Sequence, residues 1–166
     1  MFSNGAPSAS VADGGAVVLG EFNYMPGLVG GPAASARAAA GGVGVWRFAW
    51  LDSQGIVSNV RGTAGDPVGV VLPPFSLLTD WRRMFFDPVT STWRIREGLN
   101  VSLIAGGNMR LRFANGAYRG QPVYANVLDG SPISGNSLAG ELTPWSVQQD
   151  APPGGLALIS TWSKFS

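Results

Sequence analysis

Any chemistry in this chain must be built from ten carboxylates, ten arginines, one lysine and hydroxyl groups, because it contains no cysteine and no histidine. That inventory excludes disulfides, thiolate metal sites, cysteine or histidine nucleophiles and imidazole acid–base catalysis. It leaves a carboxylate pair of the kind that cleaves glycosidic bonds. Several of the carboxylates, however, stand in turn sequences. Asp52 precedes Ser-Gln-Gly, Asp66 and Asp87 precede proline, and Glu97 and Asp129 precede glycine, where a carboxylate caps the N–H groups of its own turn. Asp80, beside Trp81, comes nearest to a glycosidase setting, and an ion pair with Arg82 or Arg83 accounts for it more simply. The Gly-Gly pairs lack the Gly-Lys-Ser/Thr ending of a phosphate loop. The expectation is a protein that is not an enzyme, with no catalytic residue, no metal and no cofactor.

The arginines form the one constellation of note. Arg94 and Arg96 lie in one alternating run and Arg110 and Arg112 in another, each pair spaced to emerge on a single sheet face. Such a face is either the solvated outside of a sheet or a docking surface for carboxylates of a neighbouring subunit. A net charge of +1 makes nucleic acid an unexpected partner. No apolar run approaches the roughly 20 residues of a membrane helix, and residues 1–7 lack the blocks of a signal peptide, so no membrane partner and a cytosolic site of assembly are expected. Trp46, Trp50 and Trp93 fall on apolar faces and read as core. Trp145 and Trp162, in loop and terminal contexts, read as interface anchors.

The elements that must position these groups are short strands. A content of 24 Gly and 12 Pro demands many turns, while 45% hydrophobic residues is too apolar for an unfolded chain. Residues 1–45 read as an extended Gly/Ala-rich arm with two apolar islands, and Phe22, Tyr24 and Met25 of the second are candidates for contact with a partner. Residues 32–40 could form two turns of helix, stopped by Gly41-Gly42. The β-rich core domain is placed at 46–166, opening with the strand that carries Trp46, Phe48 and Trp50. Residues 100–114 read as a hairpin: Val101 and Leu103 alternate on one arm, Met109, Leu111 and Phe113 on the other, and Gly106-Gly107-Asn108 supply the turn. Residues 75–86 settle as neither helix nor strand, and residues 131–155 read mostly as loop. The count is seven to nine short strands, and the fold class is all-β: a small antiparallel sandwich or barrel, jelly-roll-like, with an N-terminal arm.

The succession of pieces resembles the cement, or decoration, proteins of tailed-bacteriophage capsids. It is carried by Arg47-Phe48-Ala49-Trp50, by Ala64 to Val71, by Gly98-Leu99-Asn100-Val101-Ser102-Leu103, by Gly106-Gly107-Asn108-Met109-Arg110-Leu111 and by Gly120 to Asn126. The hairpin tip departs from the family pattern, which has an acidic residue and an aromatic at the places of Asn108 and Met109. The resemblance implies a structural virion protein on the capsid exterior that clamps neighbouring major capsid subunits. Its expected partners are the phage major capsid protein and itself, as homodimer or homotrimer. The alternatives are a phage tail, baseplate or head-completion component and, from another class, a carbohydrate-binding module or glycan hydrolase using Trp81 and Trp145 as sugar platforms.

Overall fold

The computed structural model describes residues 15–17, 28–29, 36–62, 65, 67–73, 83–135 and 138–161. Alternating sequence and frequent glycine turns give fifteen short strands: β1 (Gly15–Val17), β2 (Leu28–Val29), β3 (Arg37–Ala38), β4 (Val43–Gly44), β5 (Phe48–Leu51), β6 (Ile56–Ser58), β7 (Gly69–Leu72), β8 (Met84–Asp87), β9 (Thr92–Ile95), β10 (Ser102–Ile104), β11 (Asn108–Phe113), β12 (Pro122–Asn126), β13 (Pro132–Ser134), β14 (Gly140–Val147) and β15 (Gly155–Ser160). There is no α-helix among the described residues. The all-β class is as expected. The strands are more numerous and shorter than the sequence suggested, and they form three sheets.

Sheet I runs β1-β11-β15-β14-β12-β13, sheet II runs β2-β10-β7-β5-β6-β3, and sheet III runs β4-β9-β8. Pairing is antiparallel except between β3 and β6. The three sheets stack as layers around two cores. Phe48, Trp50, Val70, Leu72 and Ile104 of sheet II meet Met109, Leu111, Phe113, Val123, Trp145 and Ile159 of sheet I in the first core. Ala49, Val57, Val71 and Leu103, on the opposite face of sheet II, meet Val43, Met84 and Ile95 of sheet III in the second. The middle strands are therefore buried on both faces. This is why β7 is a near-continuous apolar run instead of an alternating one. Gly69 at its start is there for space: a Cβ would lie 2.5 Å from the Ile104 carbonyl oxygen across the sheet.

Residues 100–114 do not form a hairpin. β10 pairs with β2 and β7 in sheet II, whereas β11 pairs with β1 and β15 in sheet I. The glycines between them cross from one layer to the other, held by the N–H of Gly107 donating to Thr161 Oγ1 at 2.8 Å. Two features favour the crossing. β10 buries Leu103 and Ile104 on opposite faces, which an edge hairpin would leave half wet, and β11 gains a six-residue register with β15.

The segment expected as the inner end of an arm is built into the fold. Arg37–Ala38 is a strand and not a helical turn, and Ala36, Ala38, Val43 and Val45 are all buried in the second core. The undecided stretch resolves in part as β8. Residues 74–82, with Asp80 and Trp81, lie outside the described residues, as do Phe22, Tyr24, Met25 and Trp162.

Candidate interaction surfaces

Strand alternation places Arg110 and Arg112 together on the outer face of sheet I, with Met109, Leu111 and Phe113 turned inward. Arg94 lies in β9 of sheet III, on the far side of sheet II, and Arg96 directly follows that strand. The four guanidinium groups thus form two separate pairs and do not line one surface. Each is engaged within the chain. Arg94 donates from Nε to the Gly41 carbonyl at 3.1 Å and from Nη2 to the Gly42 carbonyl at 2.9 Å, strapping the turn before β4 to β9. Arg96 lies over the Phe85 ring, 5.3 Å from its centroid. Arg110 donates to Gln149 Oε1 at 3.1 Å, and Arg112 donates to the Gly154 carbonyl.

The outer face of sheet I turns apolar side chains outward toward both ends, with Arg110 and Arg112 at one of them. In register, Arg110 stands opposite Leu158, Arg112 opposite Leu156, and Tyr124 opposite Leu142. Leu142 is 57% and Leu156 40% exposed, and Pro144 next along β14 is exposed as well. A sheet face that carries leucine, proline and tyrosine outward as well as two arginines has the composition of a protein interface more than of a solvated surface. The sequence hides it, because Gly140, Glu141 and Pro144 read as loop and leave only a short piece near Trp145-Ser146-Val147. A second group, Val60, Leu128 and Leu138, is exposed where Arg61 forms an ion pair with Glu141 at 2.9 Å and donates its N–H to the Val127 carbonyl.

Trp145 is not an anchor available to a partner. It sits in β14 at 2% exposure, inside the first core. Its inward direction follows from the alternation Thr143, Trp145, Val147, hidden in the sequence by Pro144 between them. It also cannot serve as a sugar platform. A crevice of about 200 Å³ opens between Phe48, Pro67 and Val68 on one side and Thr143, Pro144 and Trp145 on the other. Its described lining carries no ionisable group. The Thr143 hydroxyl is used internally, donating to the Val123 carbonyl at 2.7 Å and accepting the Trp145 N–H at 3.2 Å.

The described carboxylates hold turns and ion pairs. Asp52 accepts the N–H groups of Gln54 and Ile56, and Asp129 accepts the N–H and hydroxyl of Ser131 while facing Arg47 at 3.5 Å. Asp150 accepts the Arg119 N–H at 2.6 Å. Asp87 accepts the Thr90 hydroxyl and the Val89 N–H, each at 3.0 Å. The Thr90 hydrogen bond above all, aided by the Val89 N–H and the Arg94 charge, holds its carboxyl below the usual aspartate range. These roles match the turn-capping expectation for Asp52, Asp87 and Asp129.

One polar side chain joins the layers. Asn59, 6% exposed at the end of β6, accepts the Gly44 N–H of sheet III at 2.6 Å and donates to the Phe48 carbonyl of sheet II at 3.0 Å. The Phe48 N–H in turn donates at 2.8 Å to the carbonyl of Gly130, in the turn between β12 and β13 of sheet I. A Cβ at Gly130, whose φ is +74°, would overlap the Phe48 carbonyl oxygen.

No helix among the described residues is long and apolar enough to cross a membrane. Against known protein families, residues 13–161 match the family described as Structural cement protein (E217 gp24/Pam3 gp6). A comparison with curated proteins found no match.

Proposed function

We propose that this chain, which belongs to the phage structural cement protein family, binds the outside of a phage capsid and ties neighbouring major capsid subunits together. Membership makes it a structural protein of the virion. The exterior position, the major capsid protein as partner, a homo-oligomeric state and assembly in the host cytoplasm are our reading of how it does this work. It acts by contact, adding buried area at subunit junctions, and not by catalysis. The observation that carries the reading is the outer face of sheet I. Both faces of sheet II and the inner faces of sheets I and III are used in the two cores, while the outer face of sheet I turns Leu156 and Leu158 outward beside Arg112 and Arg110 at one end, and Tyr124, Leu142 and Pro144 outward toward the other. Burying an exposed leucine at an interface contributes about 1.5–3 kcal/mol, and arginine supplies forked hydrogen bonds to carboxylates.

The test is rebinding to capsids that lack the protein, followed by co-sedimentation and electron microscopy. Leu142→Asp with Leu156→Asp is expected to lower affinity by about 100-fold or more, from the two lost leucine burials. Arg110→Glu with Arg112→Glu is expected to weaken binding in a salt-dependent way. Undiminished binding by both double variants, each shown to unfold like the wild type, would overturn the assignment of this face.

A further inference from the structure

The three sheets differ in how their edges end. In sheet II, the β3 edge is covered by the chain itself: Ala38 donates its N–H to the Leu99 carbonyl and Val101 donates to the Ala36 carbonyl, both at 2.9 Å. In sheet III, the β4 edge is pinned by Asn59, which accepts the Gly44 N–H. β8, at the other end of sheet III, has no partner strand on its outer side among the described residues, and at four residues it is the longest strand that ends a sheet there.

The hydrogen-bond parity of that edge follows from the ladder. The Arg96 N–H donates to the Arg83 carbonyl at 2.8 Å, and the register pairs Phe85 with Arg94 and Asp87 with Thr92. The backbone groups of Arg83, Phe85 and Asp87 therefore point to β9, and those of Met84 and Phe86 point outward. The edge holds no lysine, no bulge and no proline before Pro88, and its two charges, Arg83 and Asp87, are of opposite sign. It carries Phe86, 39% exposed and stacked edge-on against Trp93, and a half-buried Phe85.

We propose that two copies of the chain join edge to edge through β8, making one continuous six-stranded sheet β4-β9-β8-β8-β9-β4 across a two-fold axis. Antiparallel pairing must match outward groups with outward groups, and of the registers that do so the one in which Met84 of one copy exchanges hydrogen bonds with Phe86 of the other pairs all of residues 83–87 with each other. That register is centred on Phe85, which faces its own counterpart. It also sets Arg83 directly opposite Asp87 of the second copy, twice, on the same face as the phenylalanine pair. The strand Arg83-Met84-Phe85-Phe86-Asp87 is thus complementary to itself in hydrogen bonding, aromatic contact and charge. The proposal goes beyond capsid binding and does not depend on it, because it concerns the isolated protein.

The absence of cysteine gives a direct test of register. Residues facing each other in a non-hydrogen-bonded antiparallel pair have Cα atoms about 4.5 Å apart, inside the range a disulfide needs. Phe85→Cys should cross-link two chains on mild oxidation. Phe86→Cys should not, since the two copies of residue 86 would lie about 8 Å apart along and across the strands. The wild type should sediment at twice its 17.3 kDa mass. As a second route, Arg83→Glu and Asp87→Lys should each weaken self-association by about tenfold or more, and an equimolar mixture should form the heterodimer, in which every charge meets its opposite. The proposal is overturned by a monomer or trimer at about 100 µM, a concentration at which a weak but specific pair would be populated. It is equally overturned by cross-linking through residue 86 in place of 85, or by a mixture that forms no heterodimer.

Discussion

Replacing Asn59 tests whether the three layers are held as one body by a single amide. Asn59 accepts one buried N–H at 2.6 Å and donates to the Phe48 carbonyl at 3.0 Å and the Gly44 carbonyl at 3.4 Å. Asn59→Leu keeps the volume and removes all three, leaving the Gly44 N–H without its acceptor and the Phe48 carbonyl without this donor in a site closed to water. An orphaned buried group costs about 1–3 kcal/mol, so the two better bonds predict a loss of about 3–5 kcal/mol. For a domain of this size that is a drop of roughly 6–20 °C in Tm. Asn59→Asp separates the two roles, because the carboxylate still accepts from Gly44 but cannot donate to Phe48 and brings a buried charge. Burial raises the pKa of such a group, so the folded state favours its protonated form and the variant should recover stability as pH falls below that raised value. The assay is urea unfolding across pH for wild type and both variants. A loss below about 1 kcal/mol for Asn59→Leu, with no pH dependence specific to Asn59→Asp, would refute the role given to this amide.

Truncation should locate the inner end of the arm. A chain lacking residues 1–45 loses β3, β4 and the buried Ala36, Ala38, Val43 and Val45, and is expected to unfold without cooperativity, whereas one lacking residues 1–35 should keep a cooperative transition; both are read by circular dichroism on heating. Gly130→Ala should cost about 3 kcal/mol or more in urea unfolding, because the new Cβ overlaps the Phe48 carbonyl at a positive φ. Asp87→Ala should destabilise the protein at neutral pH, with the gap to wild type closing as pH falls. The Thr90 hydrogen bond holds the folded-state pKa of Asp87 below the usual aspartate range, so its contribution is present above the unfolded pKa and is lost as pH drops through the folded one.

Alternation told which side of a strand is wet, but it could not name the partner strand. Met109, Leu111 and Phe113 are buried and Arg110 and Arg112 face outward, as their spacing indicated. The hairpin drawn through Gly106-Gly107 was not formed because nearest-neighbour turn chemistry competes with tertiary pairing, and β11 found six partners on β15 that were more than forty residues away. The same limit separated the two arginine pairs onto different sheets. β14 escaped notice because Gly140, Glu141 and Pro144 read as loop, although Thr143, Trp145 and Val147 between them carry a regular buried face. The alanines of 36–40 suggested a helix by propensity. In the fold their small size suits them to close packing in the second core, where Ala36 and Ala38 lie beside Val57 and Leu103. None of this was available from composition, since a three-layer arrangement is defined by which strands are buried on both faces.

The layers also bear on how a small protein could hold two capsid subunits at once. Sheet I and sheet III lie on opposite sides of sheet II, so a docking face on the outside of sheet I and a self-pairing edge on β8 do not compete for the same surface. The dyad of an antiparallel strand pair runs perpendicular to the sheet, which leaves both copies' inner faces on the same side of the joined sheet III. The two sheet I faces then point in one direction, side by side. A dimer of that form presents two docking faces to one shell, and the second contact forms at the high effective concentration set by the first. Arg83→Glu, at the β8 edge of sheet III and outside sheet I, should therefore loosen capsid retention by about 10²–10⁴-fold while leaving the affinity of each single face unchanged. The measurement is dissociation from capsids compared with binding to isolated capsid subunits. Equal losses in both would mean that Arg83 contacts the capsid itself and that bivalency is not how the shell is tied.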